Sequence, residues 1–276
     1  MALPVPAEQR VKRGWIRALS LFIVYAGLST VAGFFVSSTQ EWIVITFVLA
    51  FALVYAACRF IDNIPFESVG LQLSALFPHS VTGVALAAFI LSTGTIIIHL
   101  LGGIIWIDIV AGGTSLFTDL VLMLMVAFSE ELVFRGYVLR NLAQSMNTWL
   151  AIFLSAVLFT LVHAANPGIP LPGLLNTFLG GMLLGVTFIY SSNLWLPILF
   201  HFSWNFLQGP ILGFNVSGLE FKSLLILEPK GAEWISGGEY GFEGSFVASG
   251  LLLLALLFWV YLQMKRTKPL KVDVSS

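Results

Sequence analysis

The 276-residue chain has few charged residues, since only 10% are Asp, Glu, Lys or Arg, whereas 58% are hydrophobic and the mean hydropathy is +0.95. An ordinary soluble domain carries about 25% charged residues. So little charge excludes a soluble globular protein, because most of the molecular surface must then be apolar. We therefore expect lipid to cover most of this surface.

Cysteine pairs, an excess of basic residues and phosphate-binding loops are also missing. The single cysteine, Cys58, cannot form an internal disulfide and is expected to pack as a small apolar residue. A formal net charge of -1 argues against a nucleic-acid partner. The glycine-rich stretches at 102–103 and 180–185 suit close helix packing rather than a phosphate loop, so no nucleotide partner is expected.

Long apolar runs separated by charged residues, Pro or Gly occupy the rest of the sequence. A membrane-crossing helix needs about 20 such residues. The pattern predicts an all-α polytopic membrane bundle of about eight transmembrane helices, which form a single membrane domain over residues 1–276. The predicted spans lie near 15–38, 41–60, 82–102, 115–143, 148–165, 172–190, 194–213 and 245–263.

The distribution of charge predicts how the bundle is oriented. Basic residues cluster before the first span and after the last, whereas the long loop at 209–244 is mainly acidic. Because cytoplasmic segments are enriched in Lys and Arg, we expect a multi-pass protein of the cell membrane with both termini in the cytoplasm. The basic residues concerned are Arg10, Lys12, Arg13 and Arg17 at one end and Lys265, Arg266, Lys268 and Lys271 at the other.

Glu130, Glu131 and Arg135 stand within one of the apolar spans. A charge at the centre of a bilayer costs at least about 2.5–3.5 kcal/mol, so such residues usually serve a function. Glu131 and Arg135 are four residues apart and are predicted to form an ion pair. Glu130 is rotated by about 100° from Glu131, has no cation near it in sequence, and is a candidate general base. The alternative is that both acids only hold helices together.

Three further polar residues, His163, His201 and Asn205, are predicted to face the same interior region. Glu130 and His163 lie at similar distances, about 20–25 Å, from a turn near 143–148, so they can face each other. His201 and Asn205 are one helical turn apart and share a face, but His201 needs a tilted or offset helix to reach the same depth. A packing histidine and an interhelical hydrogen-bond clamp are the alternatives.

Together these motifs resemble the CPBP intramembrane proteases, a family that includes the CAAX prenyl proteases and the bacteriocin-processing or Abi proteins. The resemblance covers about 115–206 and includes Trp195-x-Pro197-Ile198 before His201. It implies an eight-helix bundle with a polar cavity that opens toward the cytosolic side or the lipid, and it implies hydrolysis of peptide bonds. The motifs are Glu-Glu-x-x-x-Arg at 130–135, Phe-x-x-x-His at 159–163 and His-x-x-x-Asn at 201–205.

The resemblance also implies a role for each residue. Glu130 and His163 would activate a water, and His201 and Asn205 would stabilise the oxyanion. Glu131, Arg135 and Phe159 would support them. Glu130, His163 and His201 could also supply a zinc site with two histidines and one carboxylate. Zinc (Zn2+) and a metal-free glutamate mechanism both stay open, because they use the same residues.

The expected partners are the lipid bilayer and a peptide or protein substrate, which could be prenylated, CAAX-like or a leader peptide. Two non-enzymatic alternatives remain. One is a catalytically silent scaffold or immunity protein of the same fold. The other is a proton-coupled transporter with Glu130, His163 and His201 as a relay, although the sequence shows one polar cluster and no inverted repeat.

Overall fold

A computed structural model describes residues 11, 13–110 and 115–267. The predictions made for Arg10, Lys12, Lys268 and Lys271 lie outside these residues. The described chain is predominantly helical, and many of its large apolar side chains point outward, among them Phe34, Phe89 and Phe117. Such exposed apolar side chains suit a surface covered by lipid rather than by water. The predicted helical membrane bundle is therefore supported.

The long helices follow the predicted apolar runs. Three helices continue into π-helical turns, in which the backbone hydrogen bonds skip one extra residue. The α-helices are α1 (Gly14–Gly33), α2 (Thr39–Ala57), α3 (Leu76–Leu100), α4 (Ser115–Glu131), α5 (Arg140–Ala143), α6 (Thr148–His163), α7 (Leu171–Ser191), α8 (Trp195–Phe206), α9 (Glu233–Ser236) and α10 (Phe246–Thr267). The π-helical turns are Cys58–Asp62, Leu132–Leu139 and Leu207–Ile211.

The structure supports the membrane bundle but not a count of exactly eight crossings. In the described part of the chain, five helices are long and apolar enough to cross a membrane. The other three predicted spans are helical, but α6 has only 16 residues, and α4 and α8 continue through π-helical turns that carry polar or proline residues. The five are Gly14–Gly33, Thr39–Asp62, Leu76–Leu100, Leu171–Ser191 and Phe246–Arg266.

Two opposite ends of the bundle can be defined from contacts between helices. At the basal face, the Trp15 backbone N–H at the start of α1 donates to Ser145 Oγ in the α5–α6 turn at 3.1 Å. Gly181 and Gly185 of α7 pack on Ala156 and Ile152 of α6, so these helices are antiparallel and Ser191 ends at the basal face as well.

The other end, which we call the distal face, holds the α1–α2 turn at 34–38, the α6–α7 connection at 164–170 and the segment 212–245. The last helix returns from this face to the basal one, where Arg266 of α10 donates to the carbonyl oxygen of Tyr190. The start of α1 and the end of α10 therefore lie at the same face.

Two strands at the distal face were not predicted. Strand β1 (Ile104–Ile109) pairs with β2 (Leu225–Pro229) in an antiparallel sheet, with an irregularity between Trp106 and Asp108. Both strands lie in connections between helices, far apart in sequence, so neither one forms a sheet without the bundle that brings them together. The all-α expectation is correct for the bundle and misses this small sheet.

Helices α3 and α8 pack closely because glycine replaces a side chain at their contact. A Cβ at Gly83 would stand 2.6 Å from the Leu196 carbonyl oxygen and 2.7 Å from the Phe200 amide nitrogen. Both neighbours are backbone atoms of α8, which cannot move without displacing the helix. This contact fixes the position of α8 in the bundle.

We expect Gly83→Ala to lower the free energy of unfolding by about 1–3 kcal/mol, because the added methyl group forces α3 and α8 apart. The matched control is Gly27→Ala, since a Cβ at this helical glycine meets nothing within 4 Å. Thermal unfolding in detergent measures both variants. Equal unfolding temperatures for the two variants would contradict the proposed contact.

Candidate active site

The polar residues singled out in the sequence come from three different helices. Glu130 and Glu131 are the last two residues of α4, His163 is the last residue of α6, and His201 and Asn205 lie on α8. Directly after Glu131 the chain continues as the π-helical turn Leu132–Leu139. Such turns are frequent at functional sites, because the extra residue per turn changes the direction of the side chains that follow.

Glu131 is the centre of a buried network. Its Oε1 accepts a hydrogen bond from Arg135 Nη1 at 2.7 Å and another from His201 Nδ1 at 2.9 Å. The side chains of Glu131 and Arg135 are both fully buried. The predicted ion pair is therefore formed, and it also fixes the ring of His201.

Arg135 connects this network to two further helices. Its Nη2 donates to the Gly181 carbonyl oxygen on α7 at 3.1 Å, and its guanidinium carbon lies 4.5 Å from the centre of the Phe159 ring on α6. An arginine over an aromatic ring gains a cation–π attraction, which is larger when water is excluded. Phe159 thus supports the network, as the sequence motif suggested.

Glu130 points to a different place from its neighbour. Its Oε2 lies 3.7 Å from His163 Nε2 and 3.9 Å from His201 Nε2. These distances are too long for direct hydrogen bonds, but they suit groups that share a small molecule such as water. Within the described residues this buried oxygen has no hydrogen-bond partner.

The two histidine rings are oriented by their other nitrogen atoms. His163 Nδ1 lies 2.8 Å from the Phe159 carbonyl oxygen, which can only accept, so Nδ1 is the donor. His201 Nδ1 donates in the same way to the carboxylate of Glu131. In both neutral rings the Nε2 atom then carries the lone pair, and both Nε2 atoms face Glu130.

Asn205 lies one turn beyond His201 and is 6% exposed. It lines a cavity of about 650 Å³ together with Glu130, His163 and His201. Among the residues that the structure describes, its side-chain amide makes no hydrogen bond, so the amide remains available to a molecule in the cavity. The structure thus brings together all four of the residues predicted to carry the chemistry.

His201 reaches the depth of Glu130 because of the way α8 begins. The Leu194 backbone N–H donates to the Gly70 carbonyl oxygen at 2.7 Å, and Asn193 Nδ2 donates to the Gln72 carbonyl oxygen at 3.1 Å. Leu194 is fully buried, so α8 starts inside the bundle rather than at its surface. The sequence could not show this offset, because the loop that creates it lies more than 100 residues earlier.

Glu243 is a charged cavity residue that the sequence did not predict as part of the site. The Glu243 carboxylate accepts hydrogen bonds from Trp204 Nε1 at 3.0 Å and from the Ser217 backbone N–H and hydroxyl at 3.0 and 2.8 Å. It therefore ties the distal segment to α8 beside Asn205. Glu243 belongs to a loop with five glutamates, and no local pattern distinguishes it from the other four.

The fit of this site to zinc can be tested from the donors alone. Two imidazole Nε2 atoms and one carboxylate are the ligand types that zinc takes, and both Nδ1 hydrogen bonds are typical of metal-bound histidines. However, no group of three His, Cys, Asp or Glu side chains within residues 13–110 and 115–267 could hold a metal ion as placed. The residues do not fit zinc in this arrangement, so no step is assigned to a metal below.

A model of a known protein family matches part of the chain. The family model described as type II CAAX prenyl endopeptidase Rce1-like matches residues 112–207, the part of the chain that carries Glu130, His163, His201 and Asn205. No curated protein matches the chain. Over these residues the family match confirms the resemblance seen in the motifs.

We expect Glu131→Gln to lower the free energy of unfolding by about 3–5 kcal/mol, because it leaves the buried charge of Arg135 uncompensated. The double variant Glu131→Gln with Arg135→Met should recover part of this loss, since no unpaired charge then remains. Thermal unfolding in detergent measures these two variants and Arg135→Met alone, with the exposed Glu67→Gln as the control. A double variant that loses as much as the two single variants together would contradict the coupling.

Proposed function

We propose that the chain is an endopeptidase in which Glu130 and His163 activate a water for attack on a peptide bond, while His201 and Asn205 stabilise the oxyanion. One observation carries this proposal. A carboxylate oxygen without a hydrogen-bond partner in the described residues faces two oriented imidazole nitrogens in a cavity within a membrane bundle. Because an intramembrane acid is energetically costly, it usually serves a function.

The space between Glu130 and His163 suits the attacking water. Glu130 Oε2 and His163 Nε2 are 3.7 Å apart, so a water beside the line that joins them can lie about 2.8 Å from both atoms and donate one hydrogen to each. As the water oxygen attacks the carbonyl carbon, Glu130 takes a proton from it, which leaves a tetrahedral oxyanion. Glu130 then gives this proton to the departing amine, the carbon–nitrogen bond breaks, and a carboxylic acid and an amine are released.

Two donors are available to the oxyanion. The Asn205 amide points into the cavity, and His201 Nε2 becomes a donor when the ring is protonated. Glu131 stabilises that imidazolium, because its carboxylate accepts from His201 Nδ1 at 2.9 Å. Donors fixed before the reaction are most effective where water is scarce, and loss of one such donor costs about 2.7–4 kcal/mol of transition-state stabilisation.

The proposed substrate is a peptide segment of a membrane-associated protein. The family description supports a peptide or protein substrate, while prenylated, CAAX-like and leader-peptide substrates all remain open. The proposed mechanism uses no zinc, because the donors as placed do not fit a metal ion, and the chelator experiment below tests this. A catalytically silent scaffold or immunity protein and a proton-coupled transporter are the alternatives, and both predict no cleavage at all.

We expect Glu130→Gln to reduce cleavage about 10²–10⁴-fold, since it removes the group that accepts the proton of the water. Purified protein in detergent is assayed with fluorogenic peptides, both prenylated and not, and kcat and KM are measured separately. The fall should lie in kcat. Glu67→Gln is the matched control, because Glu67 is an exposed carboxylate at the basal face.

A chelator distinguishes the two mechanisms in the same assay. Activity that is lost with the chelator and restored by added zinc would establish a metalloprotease, whereas activity that does not respond supports the metal-free route. Full activity of Glu130→Gln would contradict the catalytic assignment. Failure of the unaltered protein to cleave any peptide of the library would favour the silent scaffold.

A further inference from the structure

The cavity is placed asymmetrically in the bundle. It is lined by residues from distal connections, namely Gly33 and Thr39 beside the α1–α2 turn, Asn166 after α6, and Ser217 and Leu219 of the distal segment. Among the described lining residues, none belongs to the basal connections at 58–75, 144–147 or 192–194. The cavity therefore extends toward the distal face and away from the basal one.

The depth of the site is compatible with this placement. His163 is the last residue of α6 and lies directly before the distal connection at 164–170. At 1.5 Å per residue, Glu130 lies about 20 Å along its helix from Ala143 at the basal face and about 22 Å from Ser115 at the distal end, so it is near the middle of the span.

The two faces differ in charge, and the difference indicates which compartment each one meets. Lys and Arg concentrate at the basal face, whereas the distal segment has five glutamates and only two lysines, Lys222 and Lys230. Positive charge beside membrane spans marks the cytoplasmic side. The described basic residues at the basal face are Arg13, Arg17, Arg59, Arg140, Lys265 and Arg266.

Two of these basic residues are held in place by polar contacts within the bundle. Arg17 forms an ion pair with Asp62, and Arg140 donates to Ser68 Oγ at 3.3 Å. Arg17, Asp62 and Arg140 are all nearly buried, at 3%, 1% and 3% exposure. The basal face is therefore closed by packed polar groups, whereas the cavity reaches the distal one.

We propose that the active-site cavity opens on the non-cytoplasmic side of the membrane and that its substrate is a peptide segment exported to that side. The existence of a substrate rests on the proposed function, whereas the side of the membrane on which the cavity opens does not depend on it. It departs from the expectation of a cavity that opens toward the cytosolic side or the lipid. A prenylated cytosolic protein would present its cleavage site at the basal face, where the described lining residues provide no entry.

The charge of the cavity indicates which peptide segments are favoured as substrates. Its carboxylates are Glu130 and Glu243, and no Lys or Arg is found among the lining residues that the structure describes. Like charges repel strongly where water is scarce. A peptide segment with acidic residues or a free terminal carboxylate at the scissile bond is therefore disfavoured, and a neutral or basic segment is favoured.

Sidedness can be measured without any activity. In a Cys58→Ala background, Lys230→Cys places a thiol at the distal face and Glu67→Cys places one at the basal face, both at exposed positions. Intact expressing cells are treated with a membrane-impermeant maleimide, and permeabilised cells show that each thiol can react. We expect Lys230→Cys to be labelled in intact cells and Glu67→Cys only after permeabilisation.

Every other labelling pattern overturns the sidedness. Labelling of Glu67→Cys alone would reverse the orientation, labelling of both would show a mixed one, and labelling of neither before permeabilisation would place both faces inside. None of these results bears on whether the protein is a protease. The sidedness and the proposed function therefore fail independently.

Cleavage in sealed vesicles tests the substrate. An impermeant fluorogenic peptide should be cleaved by right-side-out vesicles and not by inside-out vesicles, with Glu130→Gln vesicles as the inactive control. A peptide with Lys beside the scissile bond should be cleaved about tenfold faster than its Glu counterpart, which corresponds to about 1.4 kcal/mol. Cleavage by inside-out vesicles alone would overturn the exported substrate, and equal rates for the two peptides would overturn the charge preference.

Discussion

The buried carboxylate of Glu131 is the interaction on which the rest of the site depends. A charge within a membrane bundle must be compensated by partners, because no water is present to solvate it. Glu131 has two such partners, Arg135 and His201, and Arg135 in turn contacts Phe159 and the Gly181 carbonyl oxygen. One ion pair thus connects α4, α6, α7 and α8. These helices hold the candidate catalytic residues at fixed distances.

The neighbouring residues Glu130 and Glu131 have different surroundings. Glu131 is saturated by its partners and is rigid, whereas Glu130 keeps an oxygen that no described residue hydrogen-bonds. The rotation of about 100° between adjacent helical residues separates the paired carboxylate of Glu131 from that of Glu130, the proposed general base. A fixed ring at His201 and a free carboxylate at Glu130 then meet across 3.9 Å.

The bundle is also divided along the membrane normal. Its basal end is closed by buried polar contacts such as Arg17 with Asp62, and its distal end contains the cavity and the segment that Glu243 ties to α8. A closed end and an open end are what a protease needs if water and peptide are to enter from one side only. The proposal that the distal end is non-cytoplasmic rests on the charges of the two faces.

Several features were determined by the sequence alone. The apolar runs predicted the membrane helices, and the four-residue spacings predicted both the ion pair of Glu131 with Arg135 and the shared face of His201 and Asn205, because one helical turn brings such residues together. The tertiary structure alone decided the strand pairing of β1 with β2, the buried start of α8, the contact of Glu243 with Trp204 of α8 and the face on which the cavity lies. These depend on contacts between segments far apart in the chain, which local periodicity does not encode.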